Sequence, residues 1–411
     1  FPTGHNVTVA VFDSGISKSH SDLSGRIAYA VDFTEGSAAS NPTRTADNYG
    51  HGTHVAGIIG AGNKDDLEEV EEQEDVEEEL GFLGVAPRAD FVSIKVIGDD
   101  GSGSTSNLIQ AINWAIANRD TFDIRVANMS LGHVPMESYE NDPLCQAVRA
   151  MVEAGIVTVV SAGNLGKTEE HPEIWGGITS PGTEPSVITV GAVNTRGTIT
   201  HSDDIATTYS SRGVTTPNGL FKPDLVAPGN RIISTKAAGS YLESNLPEYV
   251  DGHHMELSGS SMAAGFVSGT AALMLEANPV LNPNLVKTLL LLTASKMENV
   301  HILEQGNGFL NAYTAVKLAV QLNPESQTIL GNIDPSWTLN GENGLETVIS
   351  GGAFITGERV FYSNMVDPSA GLWGSQVPNA SSVLWADFVL WANSVLWADS
   401  ILDPNSCLLY T

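Results

Sequence analysis

The stretch Val7-Thr8-Val9-Ala10-Val11-Phe12-Asp13-Ser14-Gly15 joins a short, almost continuous apolar run to an acidic residue and a glycine. Such a run is typical of a parallel strand that helices cover on both faces. In open α/β sheets, the active site lies at the C-terminal ends of the strands. The stretch therefore predicts a buried strand that holds the Asp13 carboxylate at that edge.

Similar runs alternate with helical patterns from the first residues to about residue 320. We expect strands at Val7–Phe12, Asp90–Val96, Val126–Met129, Ile156–Ser161, Val187–Val193 and Leu225–Ala227, and helices at Thr53–Gly60, Ser104–Asn118, Pro143–Ala154, Ser261–Glu276 and Pro283–Thr293. The alternation predicts an α/β fold around a mostly parallel sheet, with helices on both faces. Because the composition changes near residue 323, we expect one domain over residues 1–322 and a β-rich C-terminal extension over 323–411.

The overall charge excludes some partners. Among 411 residues, 48 are acidic and 19 are Lys or Arg, which gives a net charge of −29. Such a charge repels nucleic acid and anionic membrane surfaces over about 8 Å. No apolar stretch reaches the roughly 18 residues that a membrane-spanning helix needs.

The two cysteines, Cys145 and Cys407, form either one disulfide or two separate thiols.

An acidic insertion at residues 64–80 interrupts the first half of the chain, with eleven carboxylates and no basic residue between Asp65 and Glu79. Like-charge repulsion favours a solvated loop or a frayed helix. A calcium site is the alternative, since calcium takes 6 to 8 oxygen ligands, but the spacing of an EF-hand is missing.

A six-residue repeat over residues 382–402 places Trp385, Trp391 and Trp397 at an even period. In an extended chain these side chains would share one face, so the repeat predicts strands or a small stacked solenoid. Three roles remain open for it: a cover docked on the main domain, a contact with a partner or the cell surface, or a segment that occludes a substrate groove.

Three glycine-flanked islands supply an Asp, a His and a Ser in that order. Asp13 ends the first strand, His51 opens the run His51-Gly52-Thr53-His54-Val55-Ala56-Gly57, and Ser261 lies in Gly259-Ser260-Ser261-Met262-Ala263-Ala264. A serine hydroxyl becomes a nucleophile when an imidazole takes its proton and a carboxylate orients that imidazole. The start of a helix at Ser261 also favours developing negative charge. We interpret His54 as a packing residue, because the zinc-protease pattern needs a Glu and a four-residue spacing.

Asn164 is the candidate for a second donor to an oxyanion, because it follows the strand ending at Ser161 and is preceded by Gly163. Taken alone, an Asn after a Gly is a common turn residue.

These islands resemble the subtilase (subtilisin-like) serine peptidases, most of all the bacterial AprX-like branch. Further motifs carry the resemblance over residues 5 to about 320: Gly84-Val85-Ala86-Pro87, Asn128-Met129-Ser130-Leu131-Gly132, Lys222-Pro223-Asp224-Leu225-Val226-Ala227-Pro228-Gly229 and Gly306-Asn307-Gly308-Phe309-Leu310-Asn311-Ala312. The resemblance implies a doubly wound sheet and hydrolysis of peptide bonds through an acyl-enzyme, with no cofactor for catalysis. It implies Asp13 as the orienting acid, His51 as the base, Ser261 as the nucleophile and Asn164 as the oxyanion donor.

The resemblance also implies a groove for protein or peptide substrates. An extended substrate would lie between Gly101, Ser102 and Gly103 on one side and Ser130, Leu131 and Gly132 on the other. The pocket for the side chain before the cleaved bond (P1) would be bounded by Ser130–Gly132 and by Ser161, Ala162 and Gly163. Its small, uncharged walls favour apolar or aromatic side chains.

Asp22 matches a calcium ligand of the family, although the acidic insertion replaces the loop that completes that site. Gly265 stands where the family usually has Pro. The resemblance further implies secretion and removal of a signal and a pro-segment from the precursor; the oligomeric state stays open. The alternative is a catalytically silent binding or surface protein that acts through its C-terminal repeat.

Overall fold

The computed structural model describes residues 1–322, except 42, 63–81, 216 and 299, and the backbone of two short strands near residue 360. The acidic insertion, the tryptophan repeat and Cys407 lie outside the described residues. The chain divides into two units, Phe1–Gly331 and Asn332–Thr411. In the second unit, strands Phe354–Thr356 and Arg359–Phe361 pair antiparallel. The predicted boundary after residue 322 stays a prediction.

A central sheet organises the first unit. Its strands are β1 (Thr8–Asp13), β2 (Ile27–Asp32), β3 (Asp90–Lys95), β4 (Ile124–Met129), β5 (Val157–Ser161), β6 (Ile188–Asn194), β7 (Ile205–Ala206) and β10 (Leu225–Pro228). Seven of them lie side by side in the order β10-β6-β5-β4-β1-β3-β2, all parallel, and the two-residue β7 pairs antiparallel with β6. The strand order changes direction between β1 and β4, so the sheet is doubly wound and its switch point lies beside Asp13.

Helices cover both faces of this sheet. The helices among the described residues are α1 (His51–Gly60), α2 (Thr105–Ala117), α3 (Pro143–Glu153), α4 (Tyr241–Asn245), α5 (Ser260–Ala277), α6 (Pro283–Thr293), α7 (Ile302–Gln305) and α8 (Ala312–Gln321). Phe12 of β1 packs in one core cluster with Ile112 of α2 and Val148 of α3. On the opposite face, Asn128 of β4 accepts a hydrogen bond from Ser268 of α5 at 2.8 Å. Alternate residues along each strand therefore serve two separate layers.

Two small antiparallel sheets complete the first unit. Strands β11 (Ile232–Thr235), β12 (Val250–Asp251) and β13 (His254–Leu257) form one in the order β11-β13-β12. Strands β8 (Gly213–Val214) and β9 (Phe221–Lys222) form the other.

The predicted α/β fold is confirmed, and each expected strand and helix is present with ends shifted by a few residues. Strand β2 was not predicted, because it lies at the sheet edge and only its second half is buried. Cys145 is a buried free thiol. In the described part of the chain, no helix is both long and apolar enough to cross a membrane.

Candidate active site

The end of β1 and the start of α1 bring Asp13 and His51 together. The Nδ1 atom of His51 lies 2.8 Å from Asp13 Oδ1 and 2.9 Å from Oδ2. Since a carboxylate can only accept at this distance, Nδ1 carries the proton and Nε2 keeps a lone pair. The Asp13 carboxylate also accepts the backbone N–H of Ser14 at 2.8 Å. The imidazole is thus held in the tautomer that lets Nε2 act as a base.

Electrostatics around His51 favour its protonated form. Burial alone would lower the pKa of His51, but the negative charge of Asp13, the hydrogen bond to Asp13 and the charge of Asp47 outweigh burial and raise it above 6.5. The Asp13 side chain is almost fully buried, whereas that of His51 is 18% exposed. An imidazolium formed when the base takes a proton is therefore stabilised at the edge of an accessible site.

Asp47 positions the start of α1 and was not predicted from the sequence. Its carboxylate accepts the backbone N–H of Gly50 at 2.7 Å and that of Thr53 at 2.8 Å, and it also accepts the hydroxyls of Ser14 and Thr53. The Ser14 hydroxyl in turn accepts the N–H of Gly52. The first turn of a helix leaves such N–H groups without intrahelical partners, and a buried carboxylate satisfies them while complementing the helix dipole. A carboxylate just before a helix start was the available signal.

The two glycines that flank His51 are required by the geometry of this junction. Gly50 precedes the helix with a φ of 105°, a conformation that L side chains rarely adopt. At Gly52, a β-carbon would lie 2.9 Å from Asp13 Cβ and would collide with the Gly15 carbonyl oxygen. The close approach of α1 to β1, and hence the Asp13–His51 pair, depends on both.

Helix α5 runs beside α1 in the same direction. A β-carbon at Gly265 would lie 3.0 Å from Ile58 Cγ2 and 3.5 Å from the Val55 carbonyl oxygen. One helical turn earlier along α5 is Ser261, and one turn earlier than Val55 along α1 is His51. Ser261 and His51 therefore both lie in the first turn of their helices, at the same end of the packed pair.

The Ser261 hydroxyl donates to the backbone carbonyl of Ser130 at 3.2 Å, and within the described residues no hydrogen bond joins it to the His51 ring. The Ser130 hydroxyl donates to the Ser261 carbonyl at 2.9 Å. Ser261 is 8% exposed. Rotation about the Cα–Cβ bond of Ser261 moves its oxygen among staggered positions without moving α5.

Asn164 is attached to the same helix start. Its Oδ1 accepts the backbone N–H of Ser260 at 2.9 Å and the Ser260 hydroxyl at 3.1 Å. Because a backbone N–H can only donate, the oxygen of the amide faces Ser260 and the NH₂ group faces away from it. The exposed Asn164 can thus offer Nδ2 to a ligand. Ser260, which the sequence analysis had not assigned a role, fixes this orientation.

The residues predicted to bind substrate form two groups: residues 130–132 with 161–163, and residues 101–103. Ser130 follows β4 and Gly163 follows β5, and both bond to the first residues of α5: Ser130 to Ser261 and Gly163 N–H to the Ser260 hydroxyl at 3.1 Å. Gly132 and Gly163 both back onto Thr179, where a β-carbon at either would lie within 2.8 Å of its Oγ1. Leu131 is half-buried, whereas Ser161 and Ala162 are buried.

The second group of predicted substrate-binding residues, Gly101–Gly103, is exposed. It lies against Tyr49, since a β-carbon at Gly101 would be 2.6 Å from the Tyr49 ring. Tyr49 precedes the Gly50 cap of α1. This places residues 101–103 near the His51 end of the site.

His54 and Asp22 lie away from the reacting groups. His54 is fully buried, and its Nε2 lies 3.1 Å from the Ile232 carbonyl and 3.0 Å from the Met255 carbonyl. Burial lowers its pKa to about 3, so it is a neutral Nε2–H donor that fastens α1 to β11 and β13. Asp22 follows β1 and faces His20 and His254.

The fold and the site define a class of α/β protein whose active site lies at the C-terminal edge of a doubly wound sheet. The sequence model of the subtilase family matches residues 4–313. The chain is 36% identical over 320 residues to the serine protease AprX of Bacillus subtilis (strain 168), covering 76% of this chain and 67% of that protein. It is 35% identical over 318 residues to subtilisin E of the same organism, covering 77% and 67%.

Solved structures agree. Sphericase matches with a TM-score of 0.61 and 27% identity over 75% of this chain and 92% of that one. A cold-adapted subtilisin-like serine proteinase matches with a TM-score of 0.52 and 29% identity over 75% and 88%. This chain belongs to the subtilase family, a family of serine peptidases.

Proposed function

We propose that the chain is a secreted serine endopeptidase that cleaves peptide bonds through an acyl-enzyme, with Asp13, His51 and Ser261 as its triad. The observation that carries the proposal is the bidentate contact of His51 Nδ1 with Asp13, which directs the free Nε2 lone pair away from β1. The parallel register of α1 and α5 supports Ser261 as its partner. Secretion is inferred from the family resemblance, as is a precursor with a pro-segment.

The chemistry follows from these positions. His51 Nε2 takes the proton of the Ser261 hydroxyl while the serine oxygen bonds to the carbonyl carbon of the substrate. The Asn164 NH₂ and the first-turn amides of α5 stabilise the oxyanion. His51 then gives the proton to the amine as the peptide bond breaks, and water repeats the sequence to release the acid.

Substrate recognition is assigned to residues 101–103 and 130–132, on the two sides of the proposed groove. Backbone groups of residues 101–103 and 130–132 would pair with an extended peptide, which gives broad sequence tolerance. Ser130–Gly132 and Ser161–Gly163 would bound the P1 pocket, and the absence of charged side chains in these six residues favours an apolar or aromatic P1 residue. Peptides that differ only at P1 should show higher kcat/KM for Phe or Leu than for Lys or Glu.

A fluorophosphonate tests the nucleophile. The reagent should label the folded protein once, at Ser261, and peptide mapping would locate the adduct. Ser261→Ala should abolish labelling and hydrolysis. Ser260→Ala is the matched control, because it changes the neighbouring serine of the same helical turn and should still be labelled. A folded protein that resists the reagent would favour the catalytically silent alternative, whereas an adduct on Ser260 would show that Ser261 is not the nucleophile.

A further inference from the structure

A second group of chemically reactive side chains lies outside the catalytic groove. His20 and Asp22 stand in the segment after β1, and His254 begins β13. One ligand atom from each residue lies within 4.8 Å of the other two. His254 Nε2 is 3.3 Å from Asp22 Oδ2, and His20 Nδ1 is 3.9 Å from the same oxygen.

The orientation of His20 is fixed by a backbone group. Its Nε2 lies 2.8 Å from the carbonyl oxygen of His253, which can only accept, so Nε2 carries the proton and Nδ1 keeps its lone pair. That lone pair faces the backbone N–H of Asp22 at 3.2 Å, beside its carboxylate. Metal-bound histidines characteristically donate their second ring N–H to a carbonyl or carboxylate. The His20 side chain, only 4% exposed, is already arranged in this way.

The donors differ from those of the calcium site that the family resemblance implies. Calcium takes 6 to 8 oxygen ligands. The described residues here offer two imidazole nitrogens and one carboxylate oxygen, a combination that suits zinc and similar transition metals. Zinc–ligand bonds of about 2.0–2.1 Å in a tetrahedron place neighbouring ligand atoms about 3.3 Å apart. The 3.3 Å between His254 and Asp22 matches this edge, whereas His20 Nδ1 lies 3.9 Å from the same Asp22 oxygen, so binding an ion would draw His20 inward and replace its hydrogen bond from the Asp22 N–H.

We propose that His20, Asp22 and His254 bind one zinc-type divalent ion, with a water molecule as the fourth ligand. Asp22 and His254 are 18% and 28% exposed, which leaves the ion an open side. In the bound state His254 would use its Nε2 lone pair and carry its proton on Nδ1, while the Phe82 ring, 4.8 Å from the His254 ring, covers it.

The ion would stabilise the residues that support α1, the helix that carries His51, and would not touch the reacting atoms. It would join the segment after β1 to β13, and His54 of α1 donates to the neighbouring Met255 carbonyl of the same strand. Ser234 and Thr235 of β11 also donate to the His54 and Thr53 carbonyls of α1. An ion bound to His254 would therefore restrain the β11-β13-β12 sheet, to which α1 is hydrogen-bonded.

The test uses the full chain with Ser261→Ala, which prevents self-cleavage and makes the result independent of the proposed activity. After removal of metals with a chelator, calorimetric titration should show a zinc-binding step that calcium does not saturate, and zinc should raise the unfolding temperature by several degrees. Cobalt bound at the same site should give the intense visible absorption of tetrahedral coordination.

Neighbouring histidines provide the matched pair of variants. His254→Ala should weaken that zinc step by at least about 100-fold, since even the loss of an outer partner costs about 10–100-fold. His253→Ala removes an exposed ring but keeps the carbonyl that orients His20, and should bind zinc like the parent. The inference is overturned if zinc does not bind, or if zinc affinity and the thermal shift are the same in His254→Ala and His253→Ala.

Discussion

The Asn164 side chain has two chemically different ends, an oxygen that accepts hydrogen bonds and an NH₂ group that we propose as the oxyanion donor. The oxygen is occupied by Ser260, at 2.9 Å from its N–H and 3.1 Å from its hydroxyl. The NH₂ group is the end that can respond to charge on a substrate. Substitutions at Asn164 can therefore remove the NH₂ donor while either keeping or removing the oxygen that bonds to Ser260.

Asn164→Ala should lower kcat by about 10²–10³ and leave KM nearly unchanged, because the donor acts on the oxyanion and not on the bound substrate. That magnitude was established with a subtilisin and is a value for this family. Asn164→Asp keeps an oxygen for Ser260 but loses the donor, so kcat should fall at least as far while the unfolding temperature falls less than in Asn164→Ala. A loss confined to KM would contradict the assignment.

The acid limb of the pH profile should report the His51 environment. Activity requires a neutral imidazole, so kcat/KM should fall as the pH drops through the raised pKa of His51, above 6.5. Burial raises the pKa of Asp47, while the four hydrogen bonds that its carboxylate accepts favour the charged form. That charge is one cause of the raised pKa of His51, and Asp47→Asn should move the acid limb to lower pH. Ser14→Ala keeps the Asp47 carboxylate and removes only the hydrogen bonds of the Ser14 hydroxyl to Asp47 and to the Gly52 N–H, so its limb should move less than that of Asp47→Asn. Equal limbs in Asp47→Asn and the parent would exclude this electrostatic role.

The sequence singled out Asp13, His51, Ser261 and Asn164 as candidates because each lies in a motif with an unusual glycine or small-residue setting. The Asp13–His51 contact is observed, and the catalytic roles of the four residues stay predictions. Asp47 and Ser260 were not assigned roles, and Ser130 was expected only as part of the substrate groove and the P1 pocket. They act through backbone groups, such as the Gly50 N–H and the Ser261 carbonyl. Such partners are set by how elements approach each other, which a sequence without spatial information does not specify.

Helices α1 and α5 approach closely because small residues line their contact, and the contact is tighter at one glycine than at the other. A β-carbon at Gly269 would lie 2.6 Å from Val85 Cβ and 2.9 Å from the Ile59 carbonyl oxygen. At Gly265, where the family usually has Pro, the nearest atoms are farther away, with Ile58 Cγ2 at 3.0 Å and Ile58 Cβ at 3.2 Å.

We therefore expect Gly269→Ala to lower the free energy of unfolding by about 1–3 kcal/mol through overpacking. Gly265→Ala should stay within about 1 kcal/mol of the parent, since the gain in helix propensity of about 0.5–1 kcal/mol offsets a small displacement of Ile58. Urea unfolding of both variants in the Ser261→Ala background measures the difference. Equal destabilisation at the two positions would show that the register of α1 and α5 differs from the one described.

Strands were predictable where burial is complete. All six residues of β1 are buried, and its apolar run is continuous. In β2 the first three residues are partly or fully exposed, and β11 and β13 also mix buried positions with partly or fully exposed ones, only partly exposed in β13. Their sequences lack the continuous apolar run that marks a strand buried on both faces. This is why the sheet that supports α1 was missed although the central sheet was found.

The molecule as a whole carries far more negative than positive charge. Even if every Lys and Arg paired with one carboxylate, the net charge of −29 means that 29 carboxylates would have no basic partner. Several of the basic side chains are already committed inside the first unit, where Lys222 and Lys287 both bind the buried Asp224 at 2.7 and 3.1 Å. Repulsion among the remaining carboxylates opposes the compact state.

Salt should therefore stabilise the protein. Between low salt and about 1 M, the screening length falls from about 30 Å to about 3 Å, which removes most repulsion between surface charges. We expect the unfolding temperature of the metal-stripped Ser261→Ala variant to rise by several degrees over this range at neutral pH. Sodium chloride and tetramethylammonium chloride should act alike, because screening depends on ionic strength and not on the cation. A rise with sodium alone would indicate specific cation binding, and no rise with either salt would show that charge repulsion does not limit the stability of the fold.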